Sequence, residues 1–287
     1  MRRLSLLLAI SLSACRTAAP IATPPSSVAT PSSPGSAPPA PVSTAPPALP
    51  AALTSDPALR TLHFERMTLS AVPVWVARDL PQRDTFARWK AARAHYPTTG
   101  LYPVLVSPHF VEESDTRRLA PLPSFDRDAF VAKRAAALAK WPSSARMVAE
   151  LPTATPSEDP YEEASHFEPT PDIPTRVVVL VLLPEKPWEV VRHFGPDGLD
   201  GAPSDVDTAG MMRRWNERLG AEPIYVDASF MELVTERQPQ TLAEQRALAQ
   251  EVHATCPSNR EAFGSEAPSR LLRRIQAKRW VCWWFVE

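Results

Sequence analysis

Val177-Val178-Val179-Leu180-Val181-Leu182-Leu183 is an unbroken run of seven Val and Leu residues. A strand with one wet face alternates apolar and polar side chains, so a run with no polar member asks for cover on both faces. It reads as the central strand of a sheet. Downstream, Ser204 or Asp205 is placed to cap a helix that ends at Leu219, with Gly220 as the expected left-handed stop. The buried stripe of that helix is Thr208, Met211, Met212, Trp215 and Leu219. Pro223 to Asp227 and Phe230 to Arg237 read as two strands. Thr241-Leu242-Ala243-Glu244 forms a capping box that opens a helix to about Thr255, with Leu248, Ala249 and Val252 inward. His253 falls off that stripe and is expected in solvent. A helix over Ser269–Ala277 and an apolar strand over Trp280–Val286 complete the order. Strand, helix, strand, strand, helix, helix, strand is the pattern of a split β-α-β unit with an extra helix.

Upstream of the run, Leu62–Leu69 and Val72–Ala77 have strand composition, and Leu101–Ser107 is a third strand. Arg83–His95 is a helix that Tyr96-Pro97-Thr98-Thr99-Gly100 should break. Asp126–Lys140 is an Ala-rich helix. The fold class expected is α+β: a mixed sheet, with helices packed mainly on one face, behind a disordered tether.

The tether is the other strong signal. From Thr17 to Ser55 the chain has no charged and no aromatic residue, and cannot bury enough apolar surface to offset the entropy of ordering it. Ahead of it, Arg2-Arg3 and an apolar run from Leu4 to Ile10 have the two halves of a secretory signal. That run is too short to span a bilayer, which takes about 20 residues. Leu12-Ser13-Ala14-Cys15 resembles the processing site of a bacterial lipoprotein. The resemblance implies that Cys15 is lipidated and becomes the mature N-terminus. By the same resemblance, Arg16 rather than Asp after the cysteine favours the outer membrane over the inner one.

These readings divide the chain into five parts. Residues 1–14 are a lipoprotein signal peptide and 15–57 a Pro/Ala/Ser-rich tether. Residues 58–150 are an N-terminal α+β lobe, 151–174 an acidic Pro-rich connection, and 175–287 a C-terminal α+β domain. The formal net charge of −1 gives no global field for nucleic acid, and none is expected as a partner.

A family resemblance enters through Trp215-Asn216-Glu217-Arg218-Leu219-Gly220-Ala221-Glu222-Pro223, Arg237-Gln238-Pro239, Cys256-Pro257 and the terminal Trp280, Trp283 and Trp284. This succession resembles the bacterial domain of unknown function 4253. Tyr96-Pro97-Thr98-Thr99-Gly100-Leu101-Tyr102-Pro103 is similar to a segment upstream in its members. The resemblance implies a fold and says almost nothing of chemistry. Members tend to carry an acid after Cys-Pro and after the Trp pair, where this chain has Ser258 and Phe285. A site built on those acids is not expected here.

Several residue groups are candidates for chemistry, each with a plainer reading beside it. Asp197, Asp200, Asp205 and Asp207 lie on a glycine-bent stretch that could offer oxygens to calcium. Their spacing fits no EF-hand, and Asp205 and Asp207 also suit the first turn of a helix. Glu163 with His166, and His109 with Glu112, put an imidazole and a carboxylate three residues apart, yet in Pro-rich surroundings that suit ordinary surface residues. Cys256 and Cys282 are the thiols left once Cys15 is lipidated, and an oxidising compartment permits a disulfide between them. Relatives that look cytoplasmic carry the Cys-Pro cysteine without an evident partner, so a small core residue is the competing reading. Arg270, Arg273, Arg274, Lys278 and Arg279 form a basic cluster, either a solvated helix face or a surface for an acidic partner.

No nucleophile elbow, phosphate-binding glycine loop, zinc spacing or dinucleotide fingerprint occurs, and no cofactor is expected. The functional expectation is a lipid-anchored envelope protein with a non-catalytic binding domain. It would meet the membrane through its N-terminal lipid, and a protein or envelope component through that domain. The alternative is an envelope hydrolase with a site between the two lobes.

Overall fold

The computed structural model describes residues 48–69, 71–80, 82–108, 111, 124–140, 142–157, 178–194, 203–226, 230–257 and 267–284. The signal peptide, Cys15 and the tether up to residue 47 lie outside them, as do Asp197, Asp200, Glu163, His166, His109 and Glu112.

The described strands are β1 (Phe64–Leu69), β2 (Val72–Leu80), β3 (Tyr102–Val106), β4 (Val178–Leu183), β5 (Glu222–Val226), β6 (Phe230–Val234) and β7 (Arg279–Trp283). They form one mixed sheet in the order β1-β2-β4-β3-β5-β6-β7. All six residues of β4 are buried, as an uninterrupted Val/Leu run requires. Strand β3 pairs antiparallel with β4, Leu105 opposite Leu180, and parallel with β5, Leu105 opposite Tyr225. The one-strand gap of a split β-α-β unit is therefore present between β4 and β5. The strand that fills it comes from the N-terminal stretch, and β4 and β5 run antiparallel to each other. Strands from both sides of 151–174 thus belong to one sheet, within a single compact unit from Ala48 to Glu287.

The helices are α1 (Ala51–Ser55), α2 (Gln82–Thr99), α3 (Arg127–Leu138), α4 (Pro142–Glu150), α5 (Val191–Phe194), α6 (Asp205–Leu219), α7 (Leu242–Thr255) and α8 (Ala267–Gln276). Alternation along β7 separates the two faces of the sheet. Trp280 meets Trp215 of α6 edge-on, ring centroids 6.1 Å apart, while the neighbouring Arg279 lies over the ring of Phe86 in α2 at 5.3 Å. Helices α6, α7 and α8 are on the first side and α2 is on the other. The helices are packed mainly on one face of an α+β fold.

Local chemistry explains most boundaries. Ser204 Oγ accepts from Asp207 N at 3.1 Å at the start of α6, and Gly220 ends that helix at φ +64°, where a Cβ would be strained. The expected stripe Thr208, Met211, Met212, Trp215 and Leu219 is buried in full. Helix α7 opens on the Thr241/Glu244 capping box.

Four expectations change. Helix α2 continues through Pro97 to Thr99, because the proline falls in its last turn. There the hydroxyls of Thr98 and Thr99 both donate to His95 O at 2.9 Å. Residues 142–150 form a helix, α4, where none was expected. The end of the tether is folded: α1 spans Ala51–Ser55 with Leu53 fully buried. Asp56 Oδ2 then meets His95 Nε2 at 2.9 Å. Finally, His253 is 1% exposed rather than solvated, since α7 packs against α3, α6 and α8 and its last turn, Glu251 to Thr255, is buried on every side.

Candidate functional site

A cavity of roughly 580 Å³ opens between α3 and α6. Its walls are Ser124, Phe125, Asp126, Arg127, Ala129, Phe130 and Lys133 on one side and Val206, Asp207, Ala209, Gly210, Arg213, Arg214 and Glu217 on the other. Asp126 caps α3, its Oδ1 accepting from Asp128 N and Ala129 N, so that carboxylate and the helix N-terminus satisfy each other. The ring of Phe125 can lie on the backbone of α6 because residue 210 is glycine. A Cβ there would sit 2.3 Å from Phe125 Cδ2. Phe125 in turn packs on Phe130, centroids 5.5 Å apart.

Behind the cavity, the Glu251 side chain is 1% exposed and collects donors from two other helices. Trp215 Nε1 donates to its Oε2 at 3.1 Å. Arg214 gives Nε and Nη2 to Oε1 at 3.2 Å, and Arg218 Nη1 lies at 3.2 and 3.3 Å from the two oxygens. Arg127 Nε completes the set from α3 at 2.9 Å. Residues 214, 215 and 218 share a face of α6 by helical spacing, which brings two guanidinium groups and an indole to one carboxylate.

A buried carboxylate needs neutralising, and one arginine would do it. Three are present, and Arg127 and Arg214 also line the cavity. Burial alone would lower the pKa of Arg127, but Asp128 and Glu251 more than offset it and the pKa is raised. The other carboxylate paired at the rim is Glu217, which accepts from Arg213 Nε at 2.8 Å. Arg134, deeper in α3, donates Nε to Ala254 O at 2.8 Å, and burial lowers its pKa, with Asp207 opposing. The cavity thus has guanidinium groups clamped from behind, an aromatic wall of Phe125 and Phe130, and three lining carboxylates, of which Asp126 is engaged by the α3 N-terminus and Glu217 by Arg213. Guanidinium is permanently charged and suited to holding carboxylate or phosphate by paired hydrogen bonds rather than to moving protons.

Other charged groups are internal to the fold. On the α2 face of the sheet, Arg93 grips Glu222 through Nε and Nη2, both at 2.5 Å. Beside it, Arg279 pairs with Glu232, whose pKa is raised by burial against the opposing charge of Arg279. His193, 1% exposed, lies with Nε2 2.7 Å from Glu185 Oε2.

The residues singled out from sequence are distributed differently. Arg279 turns to the α2 side of β7, while Arg270, Arg273 and Arg274 ride on α8, which packs against α7. Lys278 donates Nζ to Glu236 O at 3.0 Å. The structure therefore spreads the basic cluster over three elements, although the charges of Arg274 and Arg279 both bear on Glu232. Asp205 and Asp207 sit in the first turn of α6, and among the described residues no group of three His, Cys, Asp or Glu could hold a metal ion. Cys256 ends α7 and Cys282 lies in β7 with Cα atoms 4.8 Å apart and the sulfurs at bonding distance.

The Glu251 cluster itself was missed. Arg127 and Glu251 are far apart in sequence, and nothing local announces their contact. One signal was available: Glu251 stands between Leu248 and Val252 on the inward side of α7, where an acid calls for partners.

Residues 178–284 match the family model of a domain of unknown function, DUF4253. The match takes in Arg214, Trp215, Arg218 and Glu251, while Arg127 and the whole of α3 precede it. No curated protein and no solved structure matches the chain.

Proposed function

We propose that this chain is a binding protein of the bacterial cell envelope that takes its ligand through an acidic group in the α3–α6 cavity. Lipid on Cys15 would hold the protein at the outer membrane, facing the periplasm or the surface. The charge-free stretch behind Cys15 would let the folded unit reach away from it. The observation that carries the binding reading is the convergence of Arg127, Arg214 and Arg218 on the single buried carboxylate of Glu251. Glu251 spends one negative charge to orient three positive ones, which leaves donors poised at the cavity before any ligand arrives. Such preorganisation is where binding sites gain affinity.

Two experiments test this. Cells fed labelled palmitate should label the wild-type chain and not Cys15→Ser; a chain that stays unlabelled removes the anchor. Immobilised protein should retain material from envelope extracts that is released by salt, because the contact is ionic. An Arg127→Ala/Arg214→Ala variant should lose it. Identical retention by the two proteins would remove the cavity as the binding site.

A further inference from the structure

We infer that the α3–α6 cavity takes a small anionic amphiphile: one carboxylate or phosphate group on Arg127 and Arg214, with an apolar body against Phe125 and Phe130. This rests on the reading of the cavity as a binding site and names the chemistry of its ligand. Each arginine carries five N–H donors, roughly fifteen across the three. Glu251 takes Arg127 through Nε, Arg214 through Nε and Nη2, and Arg218 through Nη1. Arg127 Nη1 goes to Asp128 at 2.5 Å. The remaining donors of the two cavity-lining arginines are aligned by contacts on their inner edges, a geometry suited to a second carboxylate-like group.

The rest of the lining mixes Lys133 and Arg213 with Asp126, Asp207 and Glu217, and its apolar part sets the body of the ligand. The roughly 580 Å³ of space lies within the range of about 300–1,000 Å³ that small-molecule sites occupy. Phe125 and Phe130 supply an aromatic wall, and Gly210 fixes its position by admitting the Phe125 ring to the helix backbone. An inorganic anion would leave that wall uncovered. A hydrophobic molecule without charge would strand the arginine donors. The ligand that satisfies both has a charged head and a short apolar body.

The test uses the full chain carrying Cys15→Ser, titrated calorimetrically with octanoate and octyl phosphate below their micellar concentrations, and with inorganic phosphate and octanol in solution. Octanoate or octyl phosphate should bind at least tenfold tighter than inorganic phosphate or octanol, and the preference between the two identifies the head group. Arg214→Ala should weaken that binding at least tenfold. It leaves Glu251 with Arg127, Arg218 and Trp215, so the fold has partners in reserve. Ala129→Glu, at a helix position where Glu is favoured, should weaken it as well by adding a carboxylate to the wall. Equal binding of phosphate alone, equal binding of octanol, or indifference to Arg214→Ala would each overturn the inference. If neither amphiphile binds while extract retention still depends on Arg127 and Arg214, the amphiphile is wrong and the cavity reading stands.

Discussion

Arg93 in α2 and Glu222 at the start of β5 meet through two parallel hydrogen bonds, both 2.5 Å long, across 129 positions of sequence. The pair ties α2 to the strand next to β3. Their side chains are 25% and 11% exposed, so the contact is largely shielded from water.

Removing one partner should cost more than removing both. Arg93→Ala leaves Glu222 shielded and unpaired, and about 2–4 kcal/mol of stability should be lost, a little under the range for a fully buried pair. Arg93→Met with Glu222→Gln should recover part of it. Urea denaturation of the two variants makes the comparison, and equal losses would show that the pair is a bystander.

The family-matched segment should not fold alone. Residues 175–287 contain β4 and β5–β7 but not β3, which lies between them. Without β3 both β4 and β5 present bare ladder edges. A 175–287 fragment should therefore show no dispersed NMR spectrum by itself, and should gain one when co-expressed with residues 48–157. A well-dispersed spectrum from the isolated fragment would refute this.

Much of this was readable from local sequence, and the parts that were not share a cause. The β4 run, the Ser204 and Thr241 caps, the Gly220 stop and the α6 stripe each depend on neighbours within a few residues, where backbone chemistry decides. The place of β3 between β4 and β5, and the meeting of Arg127 with Glu251, depend on contacts between residues far apart in the chain, such as Leu105 with Leu180 and with Tyr225. Composition carries no record of those. His253 fails for a related reason: a single-stripe reading assumes that a helix has one wet face, and α7 is enclosed by three helices.

Cys256 and Cys282 should be oxidised in protein isolated under nonreducing conditions. The bridge joins residues 26 positions apart, and the chain-entropy relation assigns such a loop about 3–4 kcal/mol. Alkylation under nonreducing conditions should leave both residues unmodified in the mass spectrum, and reduction should lower the unfolding free energy by about that amount. Alkylated Cys256 in the native protein would exclude the bond.

The Asp56–His95 contact makes an acid-sensitive clasp. The pKa of Asp56 is lowered from 3.8, first by the His95 hydrogen bond and next by the Ala58 N–H. Its ionised form favours the folded state above pH 3.8, and that contribution fades as pH falls through the lowered value. Asp56→Asn should therefore be less stable than wild type at pH 6, with the gap closing below pH 4. Stability curves that stay parallel from pH 6 to 2.5 would show that Asp56 titrates alike in the folded and unfolded chains.

Helix α1 gives that clasp a mechanical meaning. Any tension in the chain ahead of residue 48 enters the folded unit at α1, where Leu53 is sunk into the core and Asp56 grips His95. The load is passed to the side of α2, a helix of 18 residues, before it reaches β1. A pull on that end would act on buried Leu53 and the Asp56–His95 contact before it reached the edge strand β1.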